Sequence, residues 1–188
     1  MSVISGSSAT PLAIESNLYH INKVLFMAGE YGGKAFGDFV INVILARLED
    51  PTANISFDDG DVANVDLWFT TEKMAAKFIK HVRVKASYPK LNYSFTEVTP
   101  DTMVKRHGYS AQQYKLSSYG RNIAWVYIMI NEEFPALDLD INCLTYLCRK
   151  DYTTGKKIVT KELNGERGFQ KDELVNAIRN KEATMFED

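Results

Sequence analysis

Asn64-Val65-Asp66-Leu67-Trp68-Phe69 alternates its side chains in a way that reads as a strand. Successive side chains of an extended chain point to opposite faces, so Asn64, Asp66 and Trp68 share one side and Val65, Leu67 and Phe69 the other. The same alternation recurs in Leu137-Asp138-Leu139-Asp140-Ile141-Asn142-Cys143 and predicts a second strand over Leu137–Tyr146, with Asp138, Asp140 and Asn142 on one face. Upstream, Gly32-Gly33 precedes a run in which Phe36, Phe39, Val40, Val43, Ile44 and Leu48 follow helical spacing, while Lys34, Asp38 and Asn42 fall on the opposite stripe. This predicts an amphipathic helix over Lys34–Leu48 entered from a glycine turn. Two polar-faced strands lying side by side would gather carboxylates and amides on one face, where a glycine turn and a helix N-terminus could hold a phosphate.

Working outward, Pro11 to about Asn22 suits a short helix with Leu12, Leu18 and Ile21 on one side. The apolar run Lys23–Ala28 fits either a strand or the end of that helix. Pro51 closes the helix after Leu48, because proline disfavours helical geometry in the residue before it. Asp58-Asp59-Gly60-Asp61 reads as a solvated turn, since its spacing does not match a calcium loop. Thr71 is placed to cap a helix from Glu72 to about Val82 that buries Met74, Ala75, Phe78, Ile79 and Val82. Downstream, β-branched and aromatic residues give strands at Tyr93–Val98, Ala111–Ser118 and Ile123–Ile130. A lysine-rich connection then runs to a last helix opened by Asp172-Glu173, with Leu174, Val175 and Ile178 facing inward. Helices first and strands later is an α+β pattern, expected as a mixed or antiparallel sheet with helices packed on one face.

A chain of 188 residues supports one substantial core, so the reading is an N-terminal tail over 1–11 and a single domain over 12–188. Within it the core spans about 26–146, and 147–188 is a C-terminal extension ending in a helix. A formal charge of −2 gives no global footprint for nucleic acid or an anionic membrane. Two cysteines, with no leader-like or membrane-length apolar run, fit a reduced intracellular setting, neither secreted nor in a membrane.

Transfer of a phosphoryl or nucleotidyl group needs metal ions held by carboxylates and donors that position the phosphates. A glycine turn, a D-x-D-like strand and a later aspartate strand are the parts for such chemistry. The run GGKAFGDFVINVI, then NVDLWF, then LDLDINCL resembles the nucleotidyltransferase superfold, the polymerase-β-like family, and in particular its diverged members in large DNA viruses. The resemblance implies a site with Asp66 and Asp140 catalytic, Asp66, Asp138 and Asp140 as Mg2+ ligands, and Gly32 and Gly33 touching the phosphates of a nucleoside triphosphate. It departs at Asn64, which stands where the family places a carboxylate and cannot lend negative charge to a hard cation. Gly33 likewise replaces the serine common in active transferases. The resemblance therefore implies either a catalytically degenerate transferase of host cytoplasm or virion, or a virion structural protein, a minor capsid or scaffold component, in contact with other virion proteins.

Each feature also has a plain structural account. Alternation suits any half-exposed antiparallel strand, and Gly-Gly any tight turn. Cys143 falls on an apolar face and reads as a core cysteine, and scattered histidines exclude a structural zinc pattern. Lys105-Arg106-His107-Gly108-Tyr109, with Lys115, Tyr119 and Arg121, combines cations and aromatics as a nucleic-acid surface can, though in a net negative chain a solvated hairpin explains it better.

Overall fold

The computed structural model describes residues 10–57, 60–86, 93–98, 100–153 and 155–185. Most of the expected tail, and Asp58-Asp59, lie outside them. Thr10 caps the first helix, its Oγ1 accepting from the Ala13 backbone N–H, and Pro11 is already helical.

Helix α1 runs over Pro11–Glu30, so Lys23–Ala28 is helical and not a strand. Its buried residues Ile14, Leu18, Ile21, Leu25 and Ala28 recur at three- and four-residue spacing. The glycine pair ends this helix instead of opening the next. Gly33 N–H donates to the Ala28 carbonyl at 2.8 Å and Gly32 N–H to that of Gly29 at 3.1 Å, with Gly32 at φ +76°. These two bonds make a Schellman cap, which needs a left-handed residue and so favours glycine.

The segment expected as one helix over Lys34–Leu48 is split. Lys34–Phe36 is a short strand, β1, and helical geometry begins at Asp38 after a turn at Gly37. The helix is π-wound over Val40–Ile44, with Leu45 N–H reaching back to the Val40 carbonyl, and α-helical over Leu45–Glu49, α2. Next come β2 (Ala63–Phe69), α3 (Glu72–Ala86), β3 (Tyr93–Glu97), β4 (Met103–Arg106), β5 (Tyr109–Ser118) and β6 (Arg121–Ile130). The chain closes with β7 (Leu144–Thr153), β8 (Lys156–Gly165) and α4 (Lys171–Arg179). The lysine-rich connection expected after Cys148 is thus the second half of a long hairpin. Leu137–Cys143 is not a strand either: it is a bend leading into a 3-10 turn over Asp140–Cys143, and extended pairing starts only at Leu144.

The fold is α+β, built on a mixed eight-stranded sheet in the order β3-β5-β6-β2-β1-β7-β8, with β4 paired to β5. β2 lies at its middle, antiparallel to β1 and parallel to β6. On one face of β2, Phe69 meets Phe78 of α3 with ring centroids 5.2 Å apart. On the other face, Trp68 packs against Phe134 at 5.1 Å. Both faces are therefore covered, and Asp66 is 1% exposed, against the sequence expectation of a half-exposed strand.

Candidate functional site

The polar centre is assembled around Asp66, whose strand position places it opposite Phe36 of β1 and Tyr127 of β6. The β4–β5 turn carries the groups that meet it. His107 and Gly108 both have positive φ, +53° and +83°, as a type I′ hairpin turn requires. That geometry brings two consecutive basic side chains onto one carboxylate. Arg106 donates twice, Nε to Asp66 Oδ1 and a terminal nitrogen to Oδ2, each at 3.0 Å. His107 Nε2 lies 2.9 Å from Oδ2. The Arg106 guanidinium also sits over the Tyr127 ring, 4.3 Å from its centroid.

Gly37 makes this approach possible. A Cβ at that position would lie 2.8 Å from both Asp66 Oδ2 and His107 Nε2, and its φ is +80°. The glycine facing the centre is therefore Gly37, followed by Asp38 at the start of the helix, whereas Gly32 and Gly33 belong to the α1 cap.

The chain of contacts continues outward. Asn142 Nδ2 lies 3.4 Å from His107 Nδ1 and donates to Asp138 Oδ1 at 3.0 Å. The Asp138 backbone N–H donates to the His107 carbonyl at 3.0 Å. Asp138 thus joins the Asp66 cluster at second hand, through Asn142 and His107. Asp140 serves another purpose: its Oδ1 accepts from the backbone N–H groups of Ile141 and Thr184, both at 2.8 Å. Its own N–H donates to the Thr184 carbonyl, and Leu139 bridges to Met185. Asp140 anchors the C-terminal segment and makes no contact with Asp66. Asn64 accepts from the Tyr127 hydroxyl at 3.4 Å.

These residues do not fit the magnesium ion that the resemblance implies. Both oxygens of Asp66 already carry hydrogen bonds from nitrogen donors, and a divalent cation would have to displace a guanidinium and an imidazole to reach them. Among the described residues, no three His, Cys, Asp or Glu side chains come together as a metal group. The crevice between Asp38, Asn42, Ser56 and Asn64 holds about 30 Å³, room for a water molecule or two.

Burial by itself disfavours a charged His107, but the hydrogen bond and charge of Asp66, aided by Asp38 and opposed by Arg106, raise its pKa above the ordinary 6.5. A raised folded value means stability that is complete below the unfolded value and is lost as pH rises through the folded one. Urea unfolding at about pH 6 and about pH 8 is expected to show that decline, and His107→Gln is expected to flatten it. An unchanged slope in the variant would remove His107 from this role. Elsewhere, burial pushes the Cys143 thiol up to about 11, as suits the core cysteine expected from the sequence.

The residues first grouped as a nucleic-acid surface divide. Arg106 and His107 turn inward to Asp66, Tyr109 donates to Asn131 Oδ1 at 3.1 Å, and Arg121 reaches Ser16 Oγ. Lys105, Lys115 and Tyr119 are exposed. Sequence reasoning missed that Arg106 and His107 are counter-ions of Asp66. The usable signal was His-Gly between two strand-forming runs, which marks the tip of a hairpin. No helix among the described residues is long and apolar enough to cross a membrane. Compared with known proteins, the chain matches no family model and no curated sequence.

Proposed function

We propose that this protein is a non-enzymatic, structural relative of the nucleotidyltransferase-like proteins, a minor capsid or scaffold component of a viral particle that contacts other virion proteins. The observation that carries this reading is the neutralisation of Asp66 by the chain's own Arg106 and His107. A transferase needs that carboxylate free for a metal ion; here two side chains of one hairpin turn stand in the cation's place. Asn64 adds no charge beside it. A crevice of about 30 Å³ also falls far below the ~300–1,000 Å³ of pockets that enclose small ligands. With the chemistry displaced, what the fold offers is a rigid sheet and its surfaces.

Thermal unfolding with each nucleoside triphosphate, with and without Mg2+, tests the loss of chemistry. Ligand at about 100 times its Kd stabilises by ~2.7 kcal/mol, a rise of several degrees. We expect no magnesium-dependent rise; a rise of that size would restore the enzymatic reading, with a nucleoside triphosphate and Mg2+ as ligands. The structural part is tested by quantifying the protein in purified particles of the source virus. Stoichiometric recovery is expected, and absence from particles would overturn it.

A further inference from the structure

A second cavity, of about 380 Å³, lies apart from Asp66, between α1, the π-wound segment, α2 and the β7–β8 hairpin. Its size falls in the range of small-ligand sites. The walls are mixed, their apolar part formed by Leu18 and Phe26 from α1, Val43 and Ile44 from the π segment and Tyr146 from β7, with Asn22 among the polar groups. A π turn widens a helix by one residue and is frequent at functional sites; here the widened turn itself supplies Val43 and Ile44. Leu48, 47% exposed, extends the apolar surface to the mouth.

The charged groups of the lining are all of one sign. Arg47 and Lys161 border the cavity, and among the described residues no carboxylate lines it. Arg47 is occupied, its Nε donating to the Ala53 carbonyl at 2.8 Å and its terminal nitrogens engaging Glu15. Lys161, opposite Cys148 in the β7–β8 register, has no carboxylate partner among the described residues. A chamber with one apolar side and one ammonium without a carboxylate partner at its edge is complementary to a molecule with an apolar body and a single anionic head.

We propose that this cavity binds an amphiphilic monoanion of the fatty-acid class, its chain against Leu18, Phe26, Val43 and Ile44 and its carboxylate on Lys161. The site does not depend on the fate of Asp66, so it stands or falls separately from the structural reading above.

Calorimetric titration of the full chain with decanoate, and with uncharged decanol, tests it. Decanoate is expected to bind saturably at one site and more tightly than decanol. Lys161→Glu is expected to weaken decanoate at least about tenfold, the share of one charge-assisted hydrogen bond, while Lys156→Glu on the same strand leaves it within about twofold. Leu48→Trp, at the mouth, is expected to weaken both ligands, and circular dichroism checks that each variant is folded. Absence of saturable binding by either ligand would overturn the proposal, as would decanoate binding indifferent to both Lys161→Glu and Leu48→Trp.

Discussion

Arg106→Ala is expected to lower the free energy of unfolding in urea by about 3 kcal/mol, the usual result of removing one partner from a buried ion pair. The carboxylate left behind is 1% exposed and cannot recover its lost bonds from water. His107 would still hold Oδ2, but the bond to Oδ1 comes from Arg106. The pair as a unit has a different worth. Attraction between two buried charges is largely offset by the cost of taking them out of water, so Asp66→Leu combined with Arg106→Met is expected to recover most of the loss. Lys105→Ala, on the same strand but exposed, is expected to shift stability by less than about 0.5 kcal/mol. Equal effects of Arg106→Ala and Lys105→Ala would show that the Asp66 contact contributes nothing net.

Gly29→Ala is expected to destabilise by about 2 kcal/mol, although glycine to alanine inside a helix ordinarily stabilises by about 1 kcal/mol. Contact with β7 reverses the sign. A Cβ on Gly29 would lie 1.8 Å from the Cys148 carbonyl oxygen and 2.7 Å from its carbon. Both atoms are backbone and no rotamer change can move them aside, so α1 and β7 must separate. Overpacking of this kind costs about 3 kcal/mol, more than the helical gain. Urea titration of the variant decides it: any net gain in stability would mean that α1 does not sit this close to β7.

The same glycine shows what the sequence could and could not disclose. The apolar run Lys23–Ala28 followed by Gly29 looks like a segment meeting a breaker, yet Gly29 lies inside α1 because a strand more than a hundred residues later in the chain passes against it. The helical spacing of Ile14, Leu18, Ile21, Leu25 and Ala28 is there in the sequence, but the helix expected from it ends at about Asn22 and leaves Lys23–Ala28 open between a strand and the helix end. In the structure Gly32 lies just past the end of α1, as a left-handed cap. β2 was read correctly as a strand because alternation is a local signal. Its burial on both faces was not readable, since the cover comes from Phe134 and from the β4–β5 turn.

Alternation misled at Leu137–Cys143. Asp138 and Asp140 recur at a spacing of two for unrelated reasons, one to accept from Asn142 and the other to accept backbone N–H groups at a 3-10 turn and at Thr184. Aspartate favours such local bonds over extended pairing. β8 escaped notice for the opposite reason. Its residues are largely exposed on both sides, so no apolar period marks them, and only the pairing with β7 makes them a strand. Of the residues singled out by the sequence, Asp66 lies at the polar centre and Gly32-Gly33 in the α1 cap, while Arg106 and His107, grouped by sequence with another surface, meet Asp66.

The parallel pairing of β2 with β6 bears on how fast the chain can fold. The β4–β5, β5–β6 and β7–β8 ladders join neighbours in sequence and can close within microseconds. Joining β2 to β6 instead requires everything from Ala63 to Ala124 to be gathered first, a closure whose entropy is lost before any contact compensates it. Arg106 and His107 arrive with the hairpins, and Asp66 arrives with β2. The ion pair at the centre of the sheet can therefore form only once β2 meets the hairpins, so its carboxylate stays in water until that docking, whereas pairing β1 with β7, Ala35 opposite Tyr146, closes a longer loop still.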